Sequence, residues 1–442
     1  MYTRLLANIF SILLLVSCSA HQSDLLYKQK PAFYSYIIGD VKSDHVDKEH
    51  AADVYATPAS CQKVVTALIA LNVLGPDYQY ETKLYATKKG GIVRNVVISF
   101  SGDPHLTSED LFNLLSPLKG SKIHGDIVLD VSVFKTPAHA PNIMVDDIGT
   151  FYAQPVFGAN IDKNQIKVRI APSSVDKPAC IENDSGYQIE NNVKTTGDKS
   201  SVILLWDNGH IKAKGNINPN EVVLEIKISP YKIEPYVLYK VKNILKTLGI
   251  QNDLKIIDDE HKLPTNLTLL NAIKSKKLKE TLAPNMKASD NLVFDSMYLK
   301  IANSFGPITD WRQGNNIMKE LVKKYFNIDI AKATIIDGSG LSRYNSIQPR
   351  HLFELLKQGS KMEDFVASLA KPAEAKSTLG KRDNLPSDIV AKTGYMSGIS
   401  CLCGYKIVSN KSTAFVIMAN SFAPPKNEIF DVIDKFIRNN IK

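Results

Sequence analysis

The sequence has 442 residues, 44% hydrophobic and 22% charged, an ordinary globular composition that argues against a disordered or fibrous chain. A formal charge of +9 suits an anionic partner, but no clustered basic and aromatic residues mark a nucleic-acid groove. Five cysteines without CxxC spacing and nine scattered histidines without zincin spacing argue against a metal centre.

Residues 1–17 read as an export signal. Arg4 gives a positive start, and the apolar stretch 5–16 is too short to span a membrane comfortably. Leu15-Val16-Ser17-Cys18 resembles a bacterial lipobox, so Cys18 is expected to carry lipid and become the mature N-terminus. An ordinary signal cleaved near Ala20 is the alternative. Both predict export to the periplasm, and Ser19 after the cysteine favours the outer membrane.

Residues 32–41 are aromatic and β-branched and predict a strand, with a second short one near 52–56. The apolar run 64–74, closed by Gly75-Pro76, predicts a buried helix with Ser60 at its N-terminus. From about residue 84 short alternating segments at 93–100, 126–133, 165–170, 201–206 and 221–228 predict a β-rich region, with one helix at 108–118. Helices are expected at 267–280, 290–304, 311–326 and 349–358. Strands follow at 389–393, 399–408 and 412–420, then a last helix at 428–441. The first strand and buried helix are thus cut off from their sheet by about 180 residues, too many for a structureless loop. The domain reading is a discontinuous domain of 18–83 and 267–442, with residues 84–266 inserted and 107–165 a possible sub-domain. Cys401 and Cys403, two apart on a predicted strand, read as packed thiols, since neighbours on one strand face are poorly placed to bridge.

Three short segments carry the chemistry. In Ser60-Cys61-Gln62-Lys63 the serine and lysine lie one helical turn apart, at a helix start whose unpaired N–H groups face whatever the serine attacks. Lys63 can act as a base only if burial or a nearby cation lowers its pKa from about 10.4, and Lys392 is the candidate cation. The S-x-x-K spacing alone is weak, recurring at Ser116, Ser132, Ser174, Ser229 and Ser368. Ser289-Asp290-Asn291 stands at a predicted loop-to-helix junction, where a plain N-cap is the simpler reading. Functionally, Ser289 would pass a proton to a leaving amine and Asn291 would orient a substrate amide. Lys392-Thr393-Gly394 ends a predicted strand, and its glycine lets a substrate backbone lie along the edge. In that order the three segments describe serine acyl transfer without histidine.

On these motifs, and on the longer stretches 57–78, 101–107, 287–297, 337–345 and 391–405, the chain resembles the low-molecular-mass class C penicillin-binding proteins. These are D-alanyl-D-alanine carboxypeptidases and endopeptidases. The resemblance implies an α/β (α+β) fold: a β-lactamase/transpeptidase-like domain, its antiparallel sheet flanked by helices, with a large β-rich insertion. It implies peptidoglycan stem peptides as substrates, β-lactams as inhibitors and no cofactor. It also implies Ser60 as nucleophile, Lys63 as base, Ser289 and Asn291 as proton path and clamp, and Lys392 as electrostatic support. Backbone N–H groups of Ser60 and Tyr395 would form the oxyanion hole. Arg343 and an acid from the insertion, Asp147 with Asp146 as rival, would meet the diaminopimelate side chain.

Two departures stand out. Cys61 replaces the usual Thr of the first motif. Tyr395 replaces the Ser or Thr that normally follows K-T-G, which removes a hydroxyl from the carboxylate site. Thr393 and Arg343 are therefore expected to carry carboxylate recognition, with carboxypeptidase activity weak beside endopeptidase cleavage. Two alternatives remain. A β-lactamase would need a deacylating Glu, and Glu320 lacks the E-x-x-x-N setting. A non-catalytic wall-binding lipoprotein would keep the fold alone.

Overall fold

A computed structural model describes residues 32–89, 92–409, 411–423 and 425–441; the signal segment and Cys18 lie outside them. The first body is a five-stranded antiparallel sheet in the order β14-β15-β16-β1-β2. Its strands are β1 (Phe33–Asp40), β2 (Val46–His50), β14 (Ile389–Met396), β15 (Ile399–Val408) and β16 (Lys411–Asn420). Both faces are covered. Tyr34, Tyr36 and Ile38 face a rear cluster with Ile429, Ile433 and Ile437 of the last helix, Lys426–Asn440. Ile37, Val416, Cys401 and Cys403 face a front cluster around helix α1 (Lys63–Val73). The period-2 alternation of side chains sorts each strand between these two cores.

Helix α1 is buried from Lys63 to Leu71, which accounts for its nearly unbroken apolar sequence. It packs among Leu278–Ala288, Asn291–Asn303, Trp311–Phe326 and Pro349–Gly359, here α2, α3, α4 and α5. Two expectations are corrected, one in this body and one where the chain passes from the second body into α2. Residues 52–56 form no strand; the second strand is Val46–His50, and Ala56 makes only an isolated bridge to Ile347. The stretch 267–280, expected as one helix, is strand β13 (Thr268–Lys274) followed by the start of α2.

The second body has its own core, in which Val96, Leu129, Val168, Ile211 and Tyr236 meet. Its main sheet runs β12-β5-β4-β3-β13, from β3 (Glu81–Lys89), β4 (Ile92–Ser99), β5 (Ile127–Asp130) and β12 (Leu254–Ile257) to β13. Two three-stranded sheets are built from β6 (Ile166–Ala171), β7 (Cys180–Asn183), β8 (Ile189–Thr195), β9 (Ser201–Asp207), β10 (His210–Ile217) and β11 (Leu224–Ile228), in the orders β8-β10-β9 and β11-β6-β7. The stretch 107–165 has no separate core, because Leu111, Leu129 and Ile161 share the same cluster as Val193 and Tyr236. A 15-residue helix, Ile233–Thr247, also lies in the region read as strands. All four cysteines among the described residues are free thiols, with Cys61, Cys401 and Cys403 buried.

Candidate active site

The three motifs converge where α1, α3 and β14 meet. Ser60 sits in a 3-10 turn, Ala59–Gln62, that runs directly into α1. Lys63, fully buried, donates from Nζ to Ser60 Oγ at 2.9 Å, Asn291 Oδ1 at 2.7 Å and the Ser339 carbonyl at 2.7 Å. Three neutral acceptors thus hold a fully buried amine. Burial first, and the Lys392 cation second, bring its pKa down to about 7, against the upward pull of Asp295, Asp337 and Asp290. That is the range a general base needs near neutral pH.

The turn before the nucleophile is tightly constrained. Ala59 is fully buried with φ 46°, a region that costs a non-glycine residue free energy unless its surroundings enforce it. Gly340, with φ +84°, is part of that enforcement, since a Cβ there would lie 1.9 Å from the Ala59 carbonyl oxygen. The Gly340 loop is held in turn by two buried carboxylates. Asp295 accepts from the Gly338 and Ser339 N–H groups at 3.0 and 2.8 Å, which aims the Ser339 carbonyl at Lys63. Asp337 accepts from the Gly340 and Ser342 N–H groups at 2.7 and 2.6 Å. The sequence reading missed Asp295. Its signal was an acid one turn after Asn291 on a helix buried along most of its length.

In the second motif the capping roles are divided. Ser289 ends α2 in the left-handed region, φ 59° and ψ 42°, while Asp290 caps α3 by accepting from the Val293 N–H at 3.2 Å. The left-handed turn frees the Ser289 hydroxyl to accept from Lys392 Nζ at 3.0 Å. Lys392 is buried and also donates to its neighbour's carbonyl, that of Thr393, at 2.8 Å; burial lowers its pKa to about 8. Asn291 uses its amide twice, accepting from Lys63 and donating to the Tyr152 carbonyl of the second body at 2.8 Å. Lys163, also from the second body, pairs with Asp290. Neither of these two partners was anticipated.

In the third motif Gly394 is obligatory by contact. A Cβ there would come within 2.6 Å of the Pro58 oxygen and 3.1 Å of the Ser60 nitrogen. The strand therefore lies against the nucleophile turn, with the backbone of Tyr395 one residue further on. The Cys61 thiol donates to the Lys392 carbonyl at 3.4 Å, so the small buried residue found in place of Thr fastens the same junction.

A cavity of about 400 Å³ opens beside Ser60, lined by Ser289, Asn291, Asp146, Asp147, Arg343 and Tyr395 among others. Asp147 accepts from the Tyr152 hydroxyl at 2.7 Å, and Arg343 donates to the Ser397 carbonyl at 3.2 Å. Arg343 therefore sits beyond the far end of β14, whereas the Thr393 hydroxyl bonds that of Thr378 at 2.7 Å. These placements set the two residues apart and weigh against a single carboxylate held by both. Glu320 lines a different cleft, with Asn316 and Asp329.

The chain matches the D-Ala-D-Ala carboxypeptidase 3 (S13) family over residues 21–440. It belongs to this family. Family membership makes it a hydrolase of the D-Ala-D-Ala carboxypeptidase type. It is 27% identical over 412 residues to D-alanyl-D-alanine carboxypeptidase DacB of Haemophilus influenzae, across 88% of this chain and 85% of that one. It is 25% identical over 408 residues to the D-alanyl-D-alanine carboxypeptidase of an Actinomadura species, across 83% and 74%. The crystal structure of penicillin binding protein 4 from Haemophilus influenzae matches with a TM-score of 0.82 at 24% identity, over 95% of this chain and 99% of that one. A predatory endopeptidase of Bdellovibrio bacteriovorus shares the fold, with a TM-score of 0.53 at 16% identity over 92% of each chain.

The two lysines predict a narrow pH window. Acylation rises as Lys63 loses its proton near 7 and falls as Lys392 loses its charge near 8. Lys392→Met removes a cation that depresses Lys63, so the rising limb of the acylation rate should move to higher pH. An unmoved limb in a stopped-flow pH profile would show that Lys392 does not tune the base.

Proposed function

We propose that the enzyme opens D-Ala-D-Ala ends and D-alanyl cross-links of peptidoglycan stem peptides through an acyl-enzyme on Ser60. The observation that carries this reading is the pair of buried lysines, one on each serine hydroxyl, Lys63 on Ser60 and Lys392 on Ser289. Neutral Lys63 takes the Ser60 proton as Oγ attacks the penultimate D-Ala carbonyl. The developing oxyanion meets the Ser60 and Tyr395 N–H groups, each worth about 3 kcal/mol to the transition state. Ser289, its hydroxyl oriented by Lys392, relays the proton taken up by Lys63 to the leaving amine, which returns Lys63 to its neutral form. Asn291 clamps the acyl-side amide, and Asp147 with Arg343 lines the cavity that would take the diaminopimelate side chain. Water then attacks the ester with Lys63 again as base. β-Lactams would acylate Ser60 by the same first step.

In this reading the enzyme is an exported periplasmic protein, held at the outer membrane by lipid on Cys18. Replacing Cys18 with Ala should release it into the soluble periplasmic fraction; a protein that stays with membranes would refute the anchor.

A fluorescent penicillin should label the protein, and Ser60→Ala should abolish the label. No label on wild type would favour a wall-binding lipoprotein, and rapid turnover of the drug would favour a β-lactamase. Tyr395 adds a specificity expectation. Its ring, 43% exposed, offers apolar surface to a longer leaving peptide and nothing to a lone D-Ala. Purified protein should cut cross-linked dimers faster than it trims pentapeptide, and the reverse order would sink this assignment.

A further inference from the structure

Position 395, two residues after Thr393, lies on the same side of β14, where a second hydroxyl would ordinarily flank the substrate carboxylate. Here that position is spent elsewhere. The Tyr395 ring packs edge-on against Phe430 of the last helix with centroids 5.7 Å apart, and the Lys426 ammonium lies 5.8 Å from its centre. Thr393 is left without a Ser or Thr hydroxyl beside it on its own strand.

A hydroxyl does stand beside it, from another part of the chain. Thr378 Oγ1 is 2.7 Å from Thr393 Oγ1, in an exposed pair at the strand edge. Thr378 is not a casual loop residue. Its N–H donates to the Lys287 carbonyl at 3.0 Å, two residues before Ser289, so it is fastened to the helix end that presents the second motif. Lys287 bonds Glu374 at 2.8 Å, and Glu374 accepts from the Lys371 N–H at 2.9 Å, which fixes the turn four residues ahead of Thr378. Ahead of that turn, Ala370 and Ala391 exchange two backbone hydrogen bonds, of 3.1 and 2.9 Å, with β14 itself. The hydroxyl is thus held from the second motif on one side and the third on the other.

We infer that Thr378 is a substrate-binding residue, its hydroxyl joining that of Thr393 to take the free carboxylate of the residue that leaves. This rests on the proposed cleavage of D-Ala-ended peptides. Paired with each other, the two hydroxyls share one hydrogen bond and keep one hydrogen to donate. A carboxylate between or beside them accepts from both, and hydrogen bonds to an ionised acceptor are the stronger kind. The hydroxyl that Ser or Thr would bring at position 395 is supplied instead by the segment that flanks the strand edge.

The test compares an N-acylated tripeptide ending in D-Ala-D-Ala with the same tripeptide as its C-terminal amide. Thr378→Val should lower kcat/KM for the acid about tenfold, the effect of losing one hydrogen bond to a charged group, and leave the amide nearly unchanged. Thr378→Ser, which keeps the hydroxyl, should restore the acid-to-amide ratio, and thermal midpoints of both variants should match wild type. If Thr378→Val cuts both rates alike, or neither, while wild type is active, Thr378 does not bind the carboxylate and this inference fails alone. A wild type that neither releases D-Ala nor is acylated by penicillin would overturn the proposed function and this inference with it.

Discussion

Two lysine side chains are buried within one site, and the surrounding structure is arranged to hold them there. Lys63 and Lys392 are at most 1% exposed, and the groups they donate to are hydroxyls, an amide oxygen and backbone carbonyls. Burying an ammonium without a carboxylate partner costs several kcal/mol unless the group sheds its proton or finds acceptors on all sides. The acceptors come from the turn at Ala59–Gln62, the Ser289 turn, α3, the Ser339 loop and β14, so no one of these can move without stranding a donor. Nearby carboxylates are kept a layer back: Asp295 and Asp337 spend their oxygens on backbone N–H groups of the loop at 338–342. Lys63 is left near the point where it can give up and regain a proton.

The second body belongs to this arrangement more closely than an appended domain would. Between residues 137 and 163 it supplies the Pro137 carbonyl to Trp311, the Pro141 carbonyl to Ser342, the Tyr152 carbonyl to Asn291 and an ion pair to Asp290. The last three land on α3 or on the loop at 338–342, which aim groups of the site, and the first steadies α4. One wall of the cavity, with Asp146, Asp147 and Tyr152, comes from the same stretch.

The local chemistry of the site was legible in the sequence because it is local. Ser60 and Lys63 are one turn apart on a helix whose apolar run announces its burial, and α4 and β15 fall at the residues that periodicity assigned. What escaped was set by partners distant in sequence, such as the Tyr152 carbonyl with Asn291 or the Lys287 carbonyl with Thr378. One element was misread and another passed over, each for an identifiable reason. Thr268–Lys274 carries helix-favouring Leu, Ala and Lys and shows no buried alternation, because it is an edge strand with only half-covered faces. Ile233–Thr247 is rich in β-branched and aromatic residues and has Pro235 in its first turn. Yet its buried positions 233, 236, 237, 240, 241, 244 and 245 follow a helical period that outweighs those propensities.

The bridge between Ala370 and Ala391 has a consequence for which molecules can enter. β14 is the edge of its sheet, and on an antiparallel edge alternate residues present their N–H and C=O outward. Ala391 has both groups engaged by Ala370, leaving Thr393 and Tyr395 as the outward-facing residues further along. A peptide added here as an extra strand has room for about two residues before it runs into the segment 370–378. Its chain must stop there. The groove is a blind alley at its carboxyl end, so a polypeptide cannot thread through it in mid-sequence, and the free carboxylate of a stem peptide is the shape that fits against the wall.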